Sequence, residues 1–249
     1  MKFKTYISIF IFMLMFFSCK DEAIQNTQIC VLIDVTDEKF RDDNFVEENL
    51  PKFLNLMKLD KESGGFSGGE IKLSLINEVS DAKSKTVKIA VAETGMMGEN
   101  PLNRKDEVNR FNDQLEQSFS KILKEADWGT NASKIYQKVA RELIKMKKKD
   151  FDKNYLLIYS DMLENSDLFS FYGQNWEKQV ESLIANPEKT LQELSQKGPE
   201  LPDLSDFEIY IIVSRNPEND EKINLSEQLW AALFEYQGAS VSFNSSLEL

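Results

Sequence analysis

The sequence has no histidine, and its 249 residues include only two cysteines, ten glycines and six prolines. Without histidine, Ser-His-Asp and Cys-His nucleophile systems, imidazole general bases and most zinc sites are excluded together. Cys19 and Cys30 are too few for a disulfide framework or a four-thiolate metal centre. Positive charge is scarce as well: 30 lysines and arginines stand against 42 aspartates and glutamates, a formal net charge of −12. Polyphosphate is repelled by such a chain, which excludes nucleic acid as a partner. What remains suffices for a core, since 41% of the residues are hydrophobic and 29% charged. That is the composition of one large or two small globular domains, not of a disordered chain.

Lys2 and Lys4 precede an apolar run from Ile7 to Phe17, broken only by Ser8 and ending at Ser18 and Cys19. A short cationic segment followed by a short apolar one reads as a secretory signal over residues 1–18. The run is too short to span about 30 Å of hydrocarbon comfortably. Phe16-Phe17-Ser18-Cys19 resembles the lipobox of bacterial lipoproteins, with Phe16 standing where leucine is usual. The resemblance implies acylation of Cys19, a polar tether over 19–26 and a domain over 27–249. Lys20-Asp21-Glu22 is similar to the export tag of surface lipoproteins of the Bacteroidota. It implies an outer-membrane lipoprotein exposed on the cell surface, with a periplasm-facing one as the alternative. Membrane contact is then expected through the lipid anchor only, because so acidic a body is not drawn to an anionic bilayer.

Beyond the tether, short β-branched runs alternate with amphipathic stretches. Ile29–Ile33 is continuously apolar and ends at Asp34, the pattern of a strand buried on both faces. Cys30 lies within it and reads as a small buried apolar residue. A helix is expected at 38–58, kinked or split at Pro51. Ile71-Leu73-Leu75 and Val87-Ile89-Val91 alternate as two adjacent strands of a hairpin. Neither glycine pair, 64–65 or 68–69, is followed by the Lys-Ser/Thr of a phosphate loop. Helices are expected at 103–126 and 131–147, the latter closing on Lys145, Lys147, Lys148 and Lys149, which suit a helix C-terminus. Tyr155–Tyr159 and Phe207–Val213 are further strands, with helical residues 173–197 between them, divided at Pro187. Asn224-Leu-Ser-Glu227 resembles a capping box opening a helix that ends before Gly238; Val241 and Phe243 mark a last strand. The expected fold class is α/β, three-layered: a mostly parallel central sheet, one antiparallel edge strand, helices on both faces.

In an open α/β sheet, ligands bind beyond the carboxyl ends of the strands. Oxygen-bearing side chains fall at such positions three times: Asp34, Thr36, Asp37 and Glu38 after the first strand; Thr130 and Asn131 before a helix; Asp161 after Tyr155–Ser160. Hard divalent cations take about six oxygen ligands of this kind. Equally, these residues suit helix caps and loop amides. Their order resembles the von Willebrand factor A domain and its metal-ion-dependent adhesion site, whose pattern is Asp-x-Ser/Thr-x-Ser, then a threonine, then an aspartate. The resemblance implies a Rossmann-like fold and Mg²⁺ or Ca²⁺ held by Asp34, Thr36, Glu38, Thr130 and Asp161. Glu38 departs from the pattern, which has a hydroxyl there, and its added negative charge leaves the ion less residual positive charge to attract a partner's carboxylate.

Three functions follow. The first is a lipid-anchored binding module that meets a protein or glycan partner through the cation site. The second is a structural or assembly lipoprotein of an envelope or secretion machine, with no functional metal. The third, a metal-dependent phosphohydrolase, lacks histidine and any basic group beside the cluster except Lys39 and Arg41, so the chain is not expected to be an enzyme. Trp128, Trp176 and Trp230, and the rings Phe169, Phe171 and Tyr172, read either as partner-facing anchors or as packing.

Overall fold

The computed structural model describes residues 23–41, 44–62, 65–77, 83–93, 100–129, 133–215 and 217–247. The expected signal, Cys19, Thr130 and Asn131 lie outside them. No helix among the described residues is long and apolar enough to cross a membrane.

Six strands form one sheet: β1 (Asn26–Asp34), β2 (Gly68–Ile76), β3 (Ser84–Ile89), β4 (Lys153–Tyr159), β5 (Phe207–Ile212) and β6 (Ser240–Asn244). They lie in the order β3-β2-β1-β4-β5-β6, all parallel except the edge strand β3, which runs against β2. Six helices are described: α1 (Phe45–Leu56), α2 (Pro101–Lys124), α3 (Ile135–Lys147), α4 (Trp176–Ala185), α5 (Pro187–Ser195) and α6 (Asp220–Tyr236).

The period of two along β1 sorts these helices into layers. Ile29, Val31 and Ile33 point to one face, where Phe53, Leu54, Val108, Phe111, Leu115 and Phe119 of α1 and α2 cover them. Cys30 and Leu32 point to the other, against α3 and α6 through Val139, Ala140, Leu143, Trp230 and Leu233. Each fully buried aliphatic side chain contributes about 1.5–3 kcal/mol, so a central strand buried on both faces anchors the fold. The expected three-layer α/β architecture with one antiparallel edge strand is the observed one.

Several local expectations are corrected. The stretch 38–58 is not one helix divided at Pro51. A 3-10 turn occupies Glu38–Phe40, and Pro51 sits inside the intact α1. The turn forms because the Asp37 carboxylate accepts from the Lys39 N–H at 3.0 Å. Asn224–Glu227 caps nothing: α6 already begins at Asp220. There Ser226 is fully buried and donates to the Met162 carbonyl (2.7 Å), and Glu227 pairs with Arg215 (2.6 Å). Val91 lies beyond the end of β3 and is exposed. Pro187 does divide its helical stretch, as the first residue of α5 with Asn186 as the cap. Trp230, Phe169 and Phe171 are core residues, Trp128 and Trp176 are half-buried, and Tyr172 is exposed.

Candidate metal centre at the switch of strand order

Sequence-adjacent strands run outward from β1 through β2 to β3, and outward again from β4 through β5 to β6. The chain reverses direction across the sheet between β1 and β4, which pair directly. Helices leaving two such neighbours on opposite faces open a crevice at the strand ends, where α/β proteins bind ligands. Asp34 is the last residue of β1, and Ser160 and Asp161 follow the last residue of β4.

Asp34 is completely buried, and its two oxygens receive four hydrogen bonds. Oδ1 accepts from the Thr36 N–H (3.0 Å) and the Thr36 hydroxyl (2.6 Å). Oδ2 accepts from the hydroxyls of Ser133 (3.0 Å) and Ser160 (2.8 Å). Three separated segments therefore converge on one carboxylate. Burial pushes Asp34 above the ordinary aspartate value, against the pull of those four donors.

Asp161 lies beside it. Its Oδ1 accepts from the Leu163 N–H (3.0 Å), which turns the chain away from β4. Burial raises its pKa to about 6, and the charges of Asp34 and Asp37 push the same way. Met162 holds a left-handed φ of 60°, a conformation that costs energy for a side chain bearing Cβ. The Ser226 hydroxyl and the Trp230 indole N–H (2.9 Å) both donate to its carbonyl and hold it there. Two residues on, the buried Glu164 accepts from the Tyr136 N–H (2.7 Å) at the start of α3, with its pKa raised by burial to about 7.

The expected ligands fall into three groups. Asp34, Thr36 and Asp161 are brought together. Glu38 is exposed and extends toward the loop at 129; a Cβ added at Gly129, whose φ is 80°, would meet Glu38 Oε1 at 3.1 Å. Thr130 lies outside the described residues. Its neighbours do reach the site: the Gly129 N–H donates to the Val35 carbonyl (2.8 Å), and Ser133 bonds Asp34. Sequence reasoning missed Ser133, Ser160 and Glu164. Ser160 stood next to an expected ligand and Ser133 three residues from one, so proximity was a usable signal. Glu164 had none, because it caps a helix that starts 29 residues earlier.

These residues fit a hard divalent cation. A hydroxyl that donates its hydrogen to Asp34 keeps lone pairs for a metal, and all the donors are oxygens. The buried Asp34 and the half-buried Asp161, both with raised pKa values, would be stabilised by a cation placed between them. Among the described residues no three His, Cys, Asp or Glu side chains gather as a metal cluster, so a cation here would need hydroxyls to complete its shell. On the same end of the sheet a cavity of about 390 Å³ is lined by Arg41, Ser120, Lys124 and Trp128.

The fold and this crevice define a mostly parallel α/β protein with an oxygen-rich strand-switch site. No protein-family model matches the chain, and no curated protein matches it either. Among solved structures, it is similar to the human COPII-coat protein over 92% of its length, with 11% identity and a TM-score of 0.46. Over 90% it is similar to the PilB minor pilin of Streptococcus sanguinis, with 9% identity and a TM-score of 0.42. The pilus adhesin SpaC of Lactobacillus rhamnosus GG gives 10% identity and a TM-score of 0.42, also over 90%. The chain spans 31%, 58% and 28% of the lengths of those three chains. At these scores none of them bears on what the chain does.

Proposed function

We propose that this chain is a non-catalytic binding module of von Willebrand factor A type, tethered to the outer membrane through Cys19. In this reading it meets a protein or glycan partner at the β1/β4 crevice, on the cell surface. One observation carries the reading: the buried Asp34 gathers hydroxyls from Thr36, Ser133 and Ser160 at the switch of strand order, with Asp161 alongside. The antiparallel β3 at the edge of an otherwise parallel sheet supports it too. Asp34 and Asp161 would hold Mg²⁺ or Ca²⁺ with the three hydroxyls, and the bound ion would supply an open coordination position for a partner's oxygen. Asp34 orients the hydroxyls, Met162 and its two donors fix the Asp161 turn, and exposed Tyr172, Glu38 and Lys39 form the rim.

The test is ion uptake by the full-length chain in detergent after removal of metal with chelator. Calorimetric titration with Mg²⁺ or Ca²⁺ is expected to show one saturable site, abolished in Asp161→Asn and weakened in Thr36→Val. A folded wild-type chain that takes up neither ion at millimolar concentration overturns the metal-mediated reading and leaves the assembly lipoprotein in its place.

A further inference from the structure

At the opposite end of β1, a second cavity of about 360 Å³ opens between the sheet and the last turns of α3; its lining includes Gln28, Lys72, Thr86, Lys145, Lys148 and Lys149, and one carboxylate, Glu142. The backbone places these groups in two rows. Cys30, Lys72 and Thr86 are register partners across β1, β2 and β3. Lys138, Glu142, Lys145 and Lys149 recur at helical spacings of four, three and four, so they share one stripe of α3 and its C-terminal extension.

Two buried carboxylates hold the rows together. Glu142 takes Lys72, Lys138 (3.5 Å) and Lys145 (3.1 Å). Glu70 takes Lys88 (3.0 Å) and Lys149, and also the Gln28 amide (2.9 Å). Five ammonium groups pair with these two carboxylates, and four lysines (Lys72, Lys145, Lys148 and Lys149) line the cavity against one lining carboxylate, Glu142, in a chain whose net charge is −12. The surplus ammonium groups repel one another; Lys138 is held below its ordinary pKa, first by burial and then by Lys72 and Lys145. Lys145 and Lys149 keep much of their side chains open to solvent, so their N–H groups are available to an incoming anion. The Gln28 Oε1 is buried without a hydrogen-bond partner among the described residues, an acceptor suited to a ligand hydroxyl.

We propose that this lysine-lined cavity binds a phosphate-bearing anion. Several ammonium groups converging on a concave site match a compact ligand of two or more negative charges, and Thr86 adds a neutral donor. The cavity is separate from the Asp34 crevice: Gln28 and Asp34 are six residues apart on one strand, about 20 Å at ~3.3 Å per residue. The proposal therefore does not rest on the metal reading.

Lysine acetylation of the full-length chain in zwitterionic detergent or vesicles, with chelator present throughout, tests it. The probes are inorganic pyrophosphate, vesicles of phosphatidylcholine with phosphatidic acid, and vesicles of phosphatidylcholine alone. Acetylation of Lys145 and Lys148, read by mass spectrometry against exposed Lys189, is expected to slow about fivefold with pyrophosphate or with the phosphatidic acid vesicles. Protection by pyrophosphate assigns a soluble phosphate ligand, and protection by the acidic vesicles alone assigns a lipid headgroup. Lys145→Gln/Lys148→Gln is expected to lose about tenfold in affinity for the protecting probe. Unchanged acetylation with every probe, equal protection by phosphatidylcholine alone, or equal affinity in that variant overturns the proposal.

Discussion

The two ends of the sheet treat buried carboxylates in opposite ways. Around Asp34, Asp161 and Glu164 the neighbours are mainly hydroxyls, amides and other acids, with only a weak downward pull on Asp161 from the exposed Lys39, so desolvation prevails and all three are pushed up. Around Glu70 and Glu142 burial also pushes upward, but lysines outweigh it, and both end below the ordinary glutamate value. Burial alone therefore does not decide whether a carboxylate is charged at neutral pH; the partner set does. One end is short of positive charge and suits a cation. The other holds a surplus and suits an anion.

The largest expected effect attacks the lysine end. Glu142→Gln leaves Lys72 and the nearly buried Lys138 without their counter-charge and is expected to destabilise by about 3–5 kcal/mol in urea denaturation. Restored stability in Glu142→Gln/Lys138→Met would identify the orphaned charge as the cause. Next comes pH, with chelator present. Asp161 and Glu164 have folded pKa values of about 6 and about 7, above those of an unfolded chain. The folded state binds their protons more tightly, so these groups favour folding at low pH and oppose it as pH rises toward 7. Acidification from pH 7 to 5 is expected to raise stability by about 2–4 kcal/mol. Glu70 and Glu142 have the opposite sign: their contribution is present above the unfolded value, near 4.3, and is lost as pH falls through their lower folded values. A stability maximum near pH 5 is expected; one at neutral pH without metal breaks the comparison.

A smaller effect of reversed sign is expected from Asp161→Asn. Removing a carboxylate that the site holds charged only at a cost should stabilise the metal-free chain at pH 7 by about 1–2 kcal/mol, measured by the same denaturation. Destabilisation by this variant would erase the contrast with Glu142→Gln. The smallest effect falls on Thr36→Val, which deletes one of the four hydrogen bonds to Asp34 and should cost about 1 kcal/mol in a thermal melt.

Much of this was legible in the chain. The unbroken apolar run at Ile29–Ile33, the alternation at Ile71–Leu75 and Val87–Ile89, and the stripes of α2 and α3 each repeat with the period of the structure they form. Asp34, Thr36 and Asp161 were legible as candidates because polar residues directly after buried strands stand at the edge where crevices form. The start of α6 was misread because the Asn224–Glu227 spacing imitates a cap, while tertiary contacts use Ser226 as a buried donor to Met162. The lysines at the end of α3 were read as dipole partners. Their meeting with Lys72 and Lys88 depends on strand neighbours about 60–80 residues away, which no local pattern contains.

The sequence by itself determined the periodicities, the strand-ending acids, the net charge and the absence of imidazole chemistry. These depend on residue type and spacing along the chain. Tertiary structure alone decided which oxygens share Asp34, that Glu164 caps α3 from 28 residues beyond Tyr136, and that lysines of two strands and a helix surround one cavity. Such groupings arise from sheet order and from which face each helix covers. Their consequence, whether a buried acid is charged or neutral, is set by neighbours met only on folding.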